Sequence, residues 1–507
     1  MKETRRNQEI KKSGGVLGVI ERVGNALPDP SILFLILAVS VILLSVLGSM
    51  LGWSGEVLRF DSEAGGVIST TTYINSLLSK EGLAEIFGGM VSNFINFAPL
   101  GSVLVAILGI GVCEHSGLMA AVMQKLVRST PKCLVTAMIV FLGVESNLAS
   151  NLGYVALPPL AALVFLSLGR HPIAGLLAAF AGVSGGFSAN LLLSALEPML
   201  GGVTQEAARM LVPDYVVPNT ANWYFMIVST ILLVIAGTYV TDRIVEPRLG
   251  VYRGDMEEEK VDQESQSRGM RAAGVALLVL IAVLVPVYLS IGGSLFFGNA
   301  LIPVIMLFFG VPGVAYGVGA GTIKKSKDAV DMMAESYKSM ASYMVMCFFA
   351  AQYIAYFDYT NIGTIISMQM SRGLQSAHIT GIPLAVGFVL LVCVIDLFLG
   401  SASAKWAIMA PIFVPMFMTM GYSPEFTQLA YRIGDSCTNI ITPLMNWFPM
   451  LLVFMQKYNK KASVGTLISS MLPYSIAFLI VWTLQMAIWM IFNLPIGPGS
   501  FITFTLS

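Results

Sequence analysis

The sequence predicts an all-α polytopic membrane protein with nine transmembrane helices and two re-entrant helical hairpins arranged as an inverted repeat. Three observations predict it. Charged residues make up only 11% of the 507 residues, against roughly a quarter in a typical soluble domain. Apolar residues make up 56%, and a soluble chain of that balance would expose large apolar patches, which soluble monomers avoid. Apolar runs of spanning length recur from end to end, and two of them carry polar clusters at their centres. A net charge of zero points away from a nucleic-acid partner. Cys113, Cys133, Cys347, Cys393 and Cys437 lie in or beside apolar runs without paired spacing, which argues against a disulfide framework or a metal site.

The elements follow in order. Residues 1–28 read as a cytoplasmic N-terminal arm carrying Lys2, Arg5, Arg6, Lys11 and Lys12. The run from Ser31 to Trp53 is long enough to cross a bilayer and lacks an A-x-A-like cleavage signal. It reads as a first span rather than a signal peptide. Pro28-Asp29-Pro30 marks the interface before it, and 29–96 holds this scaffold helix and an outer loop. Further apolar segments fall at 97–113, 133–168, 172–196, 222–241, 271–291, 297–320, 341–357, 381–420, 426–455 and 465–493.

Segments 133–168 and 381–420 are too long for one span and too short for two. Their centres read Ser146-Asn147-Leu148-Ala149-Ser150-Asn151 and Gly400-Ser401-Ala402-Ser403-Ala404-Lys405. Non-helical backbone at membrane depth is tolerated only when it is buried in protein or lines a cavity, which fits a hairpin that enters and leaves on one side. With both hairpins non-crossing, 23 of the 29 basic residues fall on the cytoplasmic side, as the positive-inside rule requires. Only Arg59, Lys80, Arg209 and Arg372 fall outside, while Lys405 and Arg432 remain within the membrane.

The same layout contains an internal repeat, 97–241 and 341–493. Ser150 stands eight residues before Pro158 and Ser403 eight before Pro411; Ser188-Ala189-Asn190 echoes Cys437-Thr438-Asn439. Two halves of opposite orientation, each with an interrupted helix, form the sequence pattern of an alternating-access transporter. Residues 271–340 read as further scaffold helices, and 242–270 as a cytoplasmic loop whose acidic stretch 254–268 is solvated. Residues 494–507 read as an outer C-terminal tail.

Several stretches resemble the p-aminobenzoyl-glutamate transporter (AbgT) family of the ion transporter superfamily. They are Glu21-Arg22-Val23-Gly24-Asn25-Ala26-Leu27-Pro28, Phe97-Ala98-Pro99-Leu100-Gly101, Gly169-Arg170-His171-Pro172 and 181–191. Ala410-Pro411-Ile412-Phe413-Val414-Pro415-Met416, Tyr431-Arg432-Ile433-Gly434-Asp435-Ser436 and Leu494-Pro495-Ile496-Gly497-Pro498-Gly499 complete the set. The resemblance implies a homodimer in a bacterial inner membrane, with scaffold and transport domains, a cytoplasmic N-terminus and a periplasmic C-terminus. It implies a secondary transporter of p-aminobenzoyl-glutamate or a similar aromatic carboxylate, of elevator type, or an exporter of sulfonamide-type antimetabolites. It implies no cofactor; a sodium ion or a proton is the expected coupling ion.

Candidate residues gather at the interruptions. Arg432 and Asp435 are three apart and share a helix face. They read either as a structural ion pair or as substrate and coupling groups, and the resemblance favours the second. Asn439 lies one turn further, before Pro443, and Asn190 is its counterpart. Asn147, Ser150 and Asn151 at one tip face Ser401, Ser403 and Trp406 at the other. Asn147 reads equally as a cap, and Trp406 as a packing residue or as a face for an aromatic ring. Glu197 matches an acidic family position and falls near the outer end of its span. Lys405, Asp435 and Glu197 are the candidate coupling groups. An ammonium at a re-entrant tip, facing Asp435, is expected to stand where sodium otherwise would, as a built-in cation or a proton carrier; the alternative is that it snorkels to the outer surface or grips a substrate carboxylate, leaving sodium elsewhere. An enzyme lacks support, because His115, His171 and His378 fall at interfaces and no H-E-x-x-H occurs. A channel needs a continuous polar path, which inverted hairpins do not provide.

Overall fold

The computed structural model describes residues 28–61, 66–149, 152–252, 263–290, 301–442, 445 and 447–505. The first helix, α1 (Pro30–Met50), opens with Pro at its first position and with the Asp29 carboxylate accepting from the Ser31 N–H, a cap that satisfies one orphan donor. An antiparallel hairpin follows, β1 (Ser54–Asp61) against β2 (Gly66–Tyr73), registered from Ser54 opposite Tyr73 to Asp61 opposite Gly66. This corrects the all-α expectation. The β2 sequence is rich in β-branched residues, which favour strands once the chain has left the membrane. Helix α2 (Lys80–Ile95) is capped by Ser79.

The first repeat then runs α3 (Ala98–His115), α4 (Leu118–Ser129), a broken pair α5 (Val135–Glu145) and α6 (Leu152–Ser167), and α7 (Pro172–Phe180). The pair is joined through a 3₁₀ turn at Ser146–Ala149. Helix α7 loosens into a π turn at Ala181–Gly185 and unwinds before α8 (Leu196–Arg209). The predicted span 172–196 is therefore one short helix with a π turn, followed by unwound chain that becomes helical again only at Leu196. Glu197, Gln205, Glu206 and Arg209 in α8 dilute the apolar signal that marks a span. Helix α9 (Trp223–Val240) continues through a π turn at Thr241–Val245 into α10 (Glu246–Leu249).

Between the repeats lie α11 (Gln263–Ser290), α12 (Leu301–Ala320) and α13 (Ser326–Ser339). Part of the predicted loop 254–268 is thus the start of α11; residues 253–262 lie outside the described residues. The second repeat gives α14 (Ala341–Tyr359), α15 (Ile362–Ser376), the broken pair α16 (Gly381–Asp396) and α17 (Ala402–Thr419), α18 (Pro424–Asn439), α19 (Phe448–Tyr458) and α20 (Val464–Phe492). The order of long helix, short helix, broken pair, interrupted helix and long helix occurs twice. Among the described residues, seven helices are long and apolar enough to cross a membrane, or nine if two bent pairs each count as one span.

Two apolar cores organise these helices. The larger surrounds the interrupted helices, and the smaller joins α3 to α12. A Cβ on Gly109 would lie 1.9 Å from the Met306 carbonyl oxygen, so glycine lets α3 and α12 meet backbone to backbone. The outward faces stay apolar, with Leu289 71% and Phe492 69% exposed, as a lipid environment demands.

At one end of the first broken pair the Arg170 guanidinium joins three groups. It lies 2.6 Å from Asp242 Oδ1, donates to Thr136 Oγ1 at 2.7 Å and pairs with Glu246. Burial works against the Arg170 charge, but the Glu246 and Asp242 carboxylates hold its pKa above the usual arginine range.

Candidate functional site

The second break builds a fully buried cluster of three charged side chains. Helix α16 ends on Asp396, and Ser401 restarts the chain as α17 by accepting from the Ala404 N–H at 3.4 Å. Lys405 therefore sits in the first turn of α17. Its ammonium ion-pairs with Asp396 Oδ1 and lies 2.6 Å from Asp435 Oδ1 on α18. The three side chains are 0%, 0% and 1% exposed. Asp435 Oδ2 accepts from Asn439 Nδ2 at 3.0 Å. The Tyr431 hydroxyl donates to the Ala402 carbonyl at 2.5 Å and stands 3.4 Å from Asp435 Oδ1.

Two carboxylates and one ammonium carry one negative charge in excess when all are ionised. An unpaired charge at membrane depth costs roughly 3 kcal/mol or more, so this cluster favours a further proton or cation. Asp396 escaped the sequence reading. The available signal was that Asp396 is the one charged residue in the apolar run 381–399.

Arg432 lies one turn before Asp435 but does not pair with it, which corrects the ion-pair alternative drawn from their spacing. Arg432 Nη2 donates instead to Glu197 Oε1 at 3.0 Å, and its Nε and Nη1 have no partner among the described residues. Glu197 Oε2 accepts from the Ser194 N–H at 2.5 Å and from its hydroxyl at 2.8 Å. Helix α18 is buried on every side, so residues a turn apart meet different neighbours. Glu197 is 3% exposed, because the chain unwinds before α8 and carries the acid back into the protein.

The remaining candidates divide. A cavity of about 620 Å³ is bordered by Ser401, Ser403 and Asn439, together with Tyr154, Phe187 and Trp447. Residues Phe398 to Ser403, which include the start of α17, also line it; a helix start presents free N–H groups and favours anions. Asn147 does not reach it: its amide donates to the carbonyls of Val144 and Val183, each at 3.0 Å. Asn190 is fully buried, and neither amide atom has a partner among the described residues. Trp406 is fully buried, stacked on Tyr431 at 4.5 Å and 29°, and donates from its indole N–H to Thr204 Oγ1 at 2.9 Å. Ser150, Asn151 and Pro443 lie outside the described residues.

The two halves differ at this depth. Counted along each repeat from its paired serine and asparagine, Asp396, Lys405 and Asp435 fall opposite Gly143, Leu152 and Gly186. A Cβ on Gly143 would lie 2.8 Å from the Ala179 carbonyl oxygen and from the Gly182 Cα. Where the second half holds Asp396, the first half packs backbone on backbone at Gly143.

Comparison with known proteins places this geometry. Residues 15–504 match the AbgT putative transporter family. The p-aminobenzoyl-glutamate transport protein of Escherichia coli (strain K12) is 39% identical over 500 residues, 96% of this chain and 97% of that protein. The crystal structure of the Alcanivorax borkumensis YdaH transporter, described as having an unusual topology, aligns with a TM-score of 0.86 at 39% identity. It covers 93% of this chain and 100% of that one. Neisseria gonorrhoeae MtrF, described as illuminating a class of antimetabolite efflux pumps, aligns with a TM-score of 0.88 at 43% identity over 96% and 99% of the two chains.

Proposed function

Because this chain belongs to the AbgT putative transporter family, we propose that it is a secondary active transporter of p-aminobenzoyl-glutamate or a related aromatic carboxylate. It is a multi-pass membrane transporter and not an enzyme. The observation that carries the proposal is the buried Asp396–Lys405–Asp435 cluster at a helix break whose other face borders a cavity. Charges at such depth are expensive and mark substrate or ion pathways.

In this reading the chain crosses the bacterial inner membrane nine times, with the broken pairs as re-entrant hairpins of opposite orientation. The N-terminus is cytoplasmic and the C-terminus periplasmic. Two copies dimerise through the scaffold, 29–96 and 271–340, and the repeats move past it as an elevator. The substrate lies between the helix breaks, in the cavity bordered by Ser401, Ser403 and Asn439. Arg432, held by Glu197 and with Nε and Nη1 unpartnered among the described residues, is the guanidinium for a substrate carboxylate, although it does not line this cavity.

Lys405 serves as a built-in cation or proton carrier in place of sodium. Its ammonium lies against the two carboxylates of this cluster, and like charges a few ångströms apart repel strongly in a poorly solvated site, so a sodium ion would not share it. Counterflow of p-aminobenzoyl-glutamate in proteoliposomes tests the whole reading. Saturable exchange that responds to a pH gradient and not to sodium supports it; no saturable exchange refutes the substrate, and robust sodium-driven uptake at constant pH refutes the coupling.

The likeness to MtrF favours a second reading, export of sulfonamide-type antimetabolites. In the same vesicles, sulfonamide flux out of the cytoplasmic face, unaffected by p-aminobenzoyl-glutamate, selects it.

A further inference from the structure

Resting on that substrate reading, we propose that Tyr154 and Trp447 form the subsite for the substrate's aromatic ring, with Trp447 as the stacking surface and Tyr154 as the residue that sets its plane. Both rings border the 620 Å³ cavity. They are parallel to within 8°, with centroids 5.7 Å apart, the offset arrangement that aromatic pairs prefer.

The two residues are unequally held. Tyr154 is 4% exposed, rooted in the first turns of α6 and braced edge-on by Phe180 at 6.0 Å and 63°. Trp447 is only half-buried and sits on the break at the start of α19. Its indole therefore rests on a fixed ring and leaves the rest of its surface for the cavity. Trp406 has no such surface, enclosed as it is between Tyr431 and Thr204.

Position matters as much as ring type. Tyr154 follows the break of the first broken pair, and Trp447 follows the break of the second interrupted helix. The stack thus joins the two repeats across the cavity. Ser401, Ser403, Asn439 and the start of α17 line the same space and supply polar groups suited to a carboxylate. An apolar aromatic wall with hydrogen-bonding groups beside it complements a ligand with a benzene ring and an acidic tail.

Calorimetry on the purified full-length protein tests this with two ligands, p-aminobenzoyl-glutamate and the analogue with a cyclohexane ring in place of benzene. The wild type is expected to prefer the benzene ligand by about tenfold, the size of a good aromatic pair. Trp447→Ala is expected to abolish the preference, Trp447→Phe to retain most of it, and Tyr154→Leu to reduce it. Ligand-induced change in tryptophan fluorescence should be largely lost in Trp447→Phe, which serves if Trp447→Ala does not fold. Absence of binding by the wild type overturns the substrate reading, and the subsite with it. Wild-type binding whose ring preference and fluorescence response both survive in the Trp447 variants overturns the subsite alone, as does equal weakening of the two ligands.

Discussion

Lys405 Nζ lies 2.6 Å from Asp435 Oδ1, with both side chains closed off from the surface. Asp396 completes the group from the other side of the break. A pair of one cation and one anion is neutral and merely structural; the third member leaves a charge to be balanced. That imbalance makes the cluster a candidate for a titrating or ion-exchanging centre rather than a staple.

Replacing Lys405 tests the built-in cation. Lys405→Met leaves two buried carboxylates without a counter-charge, and removing one partner of a buried pair costs about 3–5 kcal/mol. A lower melting temperature is expected, recovered in part by acidic pH, which protonates one acid. Lys405→Asn supplies a neutral oxygen instead and is expected either to abolish transport or to make it depend on sodium. A Lys405→Asn protein that still transports in the absence of sodium refutes the assignment.

Asp396 and Asp435 are expected to differ. Asp396→Asn leaves the Lys405–Asp435 pair, now neutral, so folding should survive while the response to a pH gradient disappears. Asp435→Asn also disturbs Asn439, whose amide donates to Asp435 Oδ2 at 3.0 Å, and should cost more stability. The measurement is flux against an imposed pH gradient, set beside melting curves. An Asp396→Asn protein with wild-type pH response moves the coupling elsewhere.

Glu197 and Arg432 are predicted to behave as a unit separate from Asp435. Glu197→Gln leaves the buried guanidinium without its anion and is expected to lower stability by about 3–5 kcal/mol. The double exchange Arg432→Asp with Asp435→Arg should not restore folding, because each new group would meet a like charge. The incoming carboxylate would face Glu197, and the incoming guanidinium would face Lys405. The exchange Glu197→Arg with Arg432→Glu keeps opposite charges together and should recover part of the loss. Equal recovery by both exchanges would contradict the observed pairing.

The sequence carried the breaks plainly, since Ser146 to Asn151 and Gly400 to Lys405 interrupt otherwise apolar runs. It also carried the approach of Lys405 to Asp435, through the repeat. Three features were hidden for physical reasons. Asp396 looks like one stray acid at the end of an apolar run, because its partner arrives only when α17 folds back beside α16. Helix α8 is polar enough to read as a loop, although Glu197 and Thr204 are enclosed. Spacing along α18 indicates which residues share a face but not which element lies opposite, so spacing alone offers Arg432 and Asp435 as partners of each other.

The last prediction concerns Arg170, far along the chain from this cluster. Its guanidinium ties Thr136, at the start of α5, to Asp242 and Glu246 beyond α9, and so fixes the base of the first broken pair. Lysine keeps the charge but cannot present a planar fork to three acceptors. Because Arg170 and Asp242 are 23% and 37% exposed, the loss is discounted for solvent screening, and Arg170→Lys is expected to cost about 1–2 kcal/mol. If the broken pair moves relative to α9 during transport, weakening this tie should change maximal flux while leaving substrate affinity unchanged. If the two move as one body, stability falls and flux per folded molecule stays constant. Concentration-dependent uptake by Arg170→Lys, normalised to folded protein, separates the two: a changed maximal rate at constant half-saturation indicates a moving joint, and an unchanged curve indicates a rigid one.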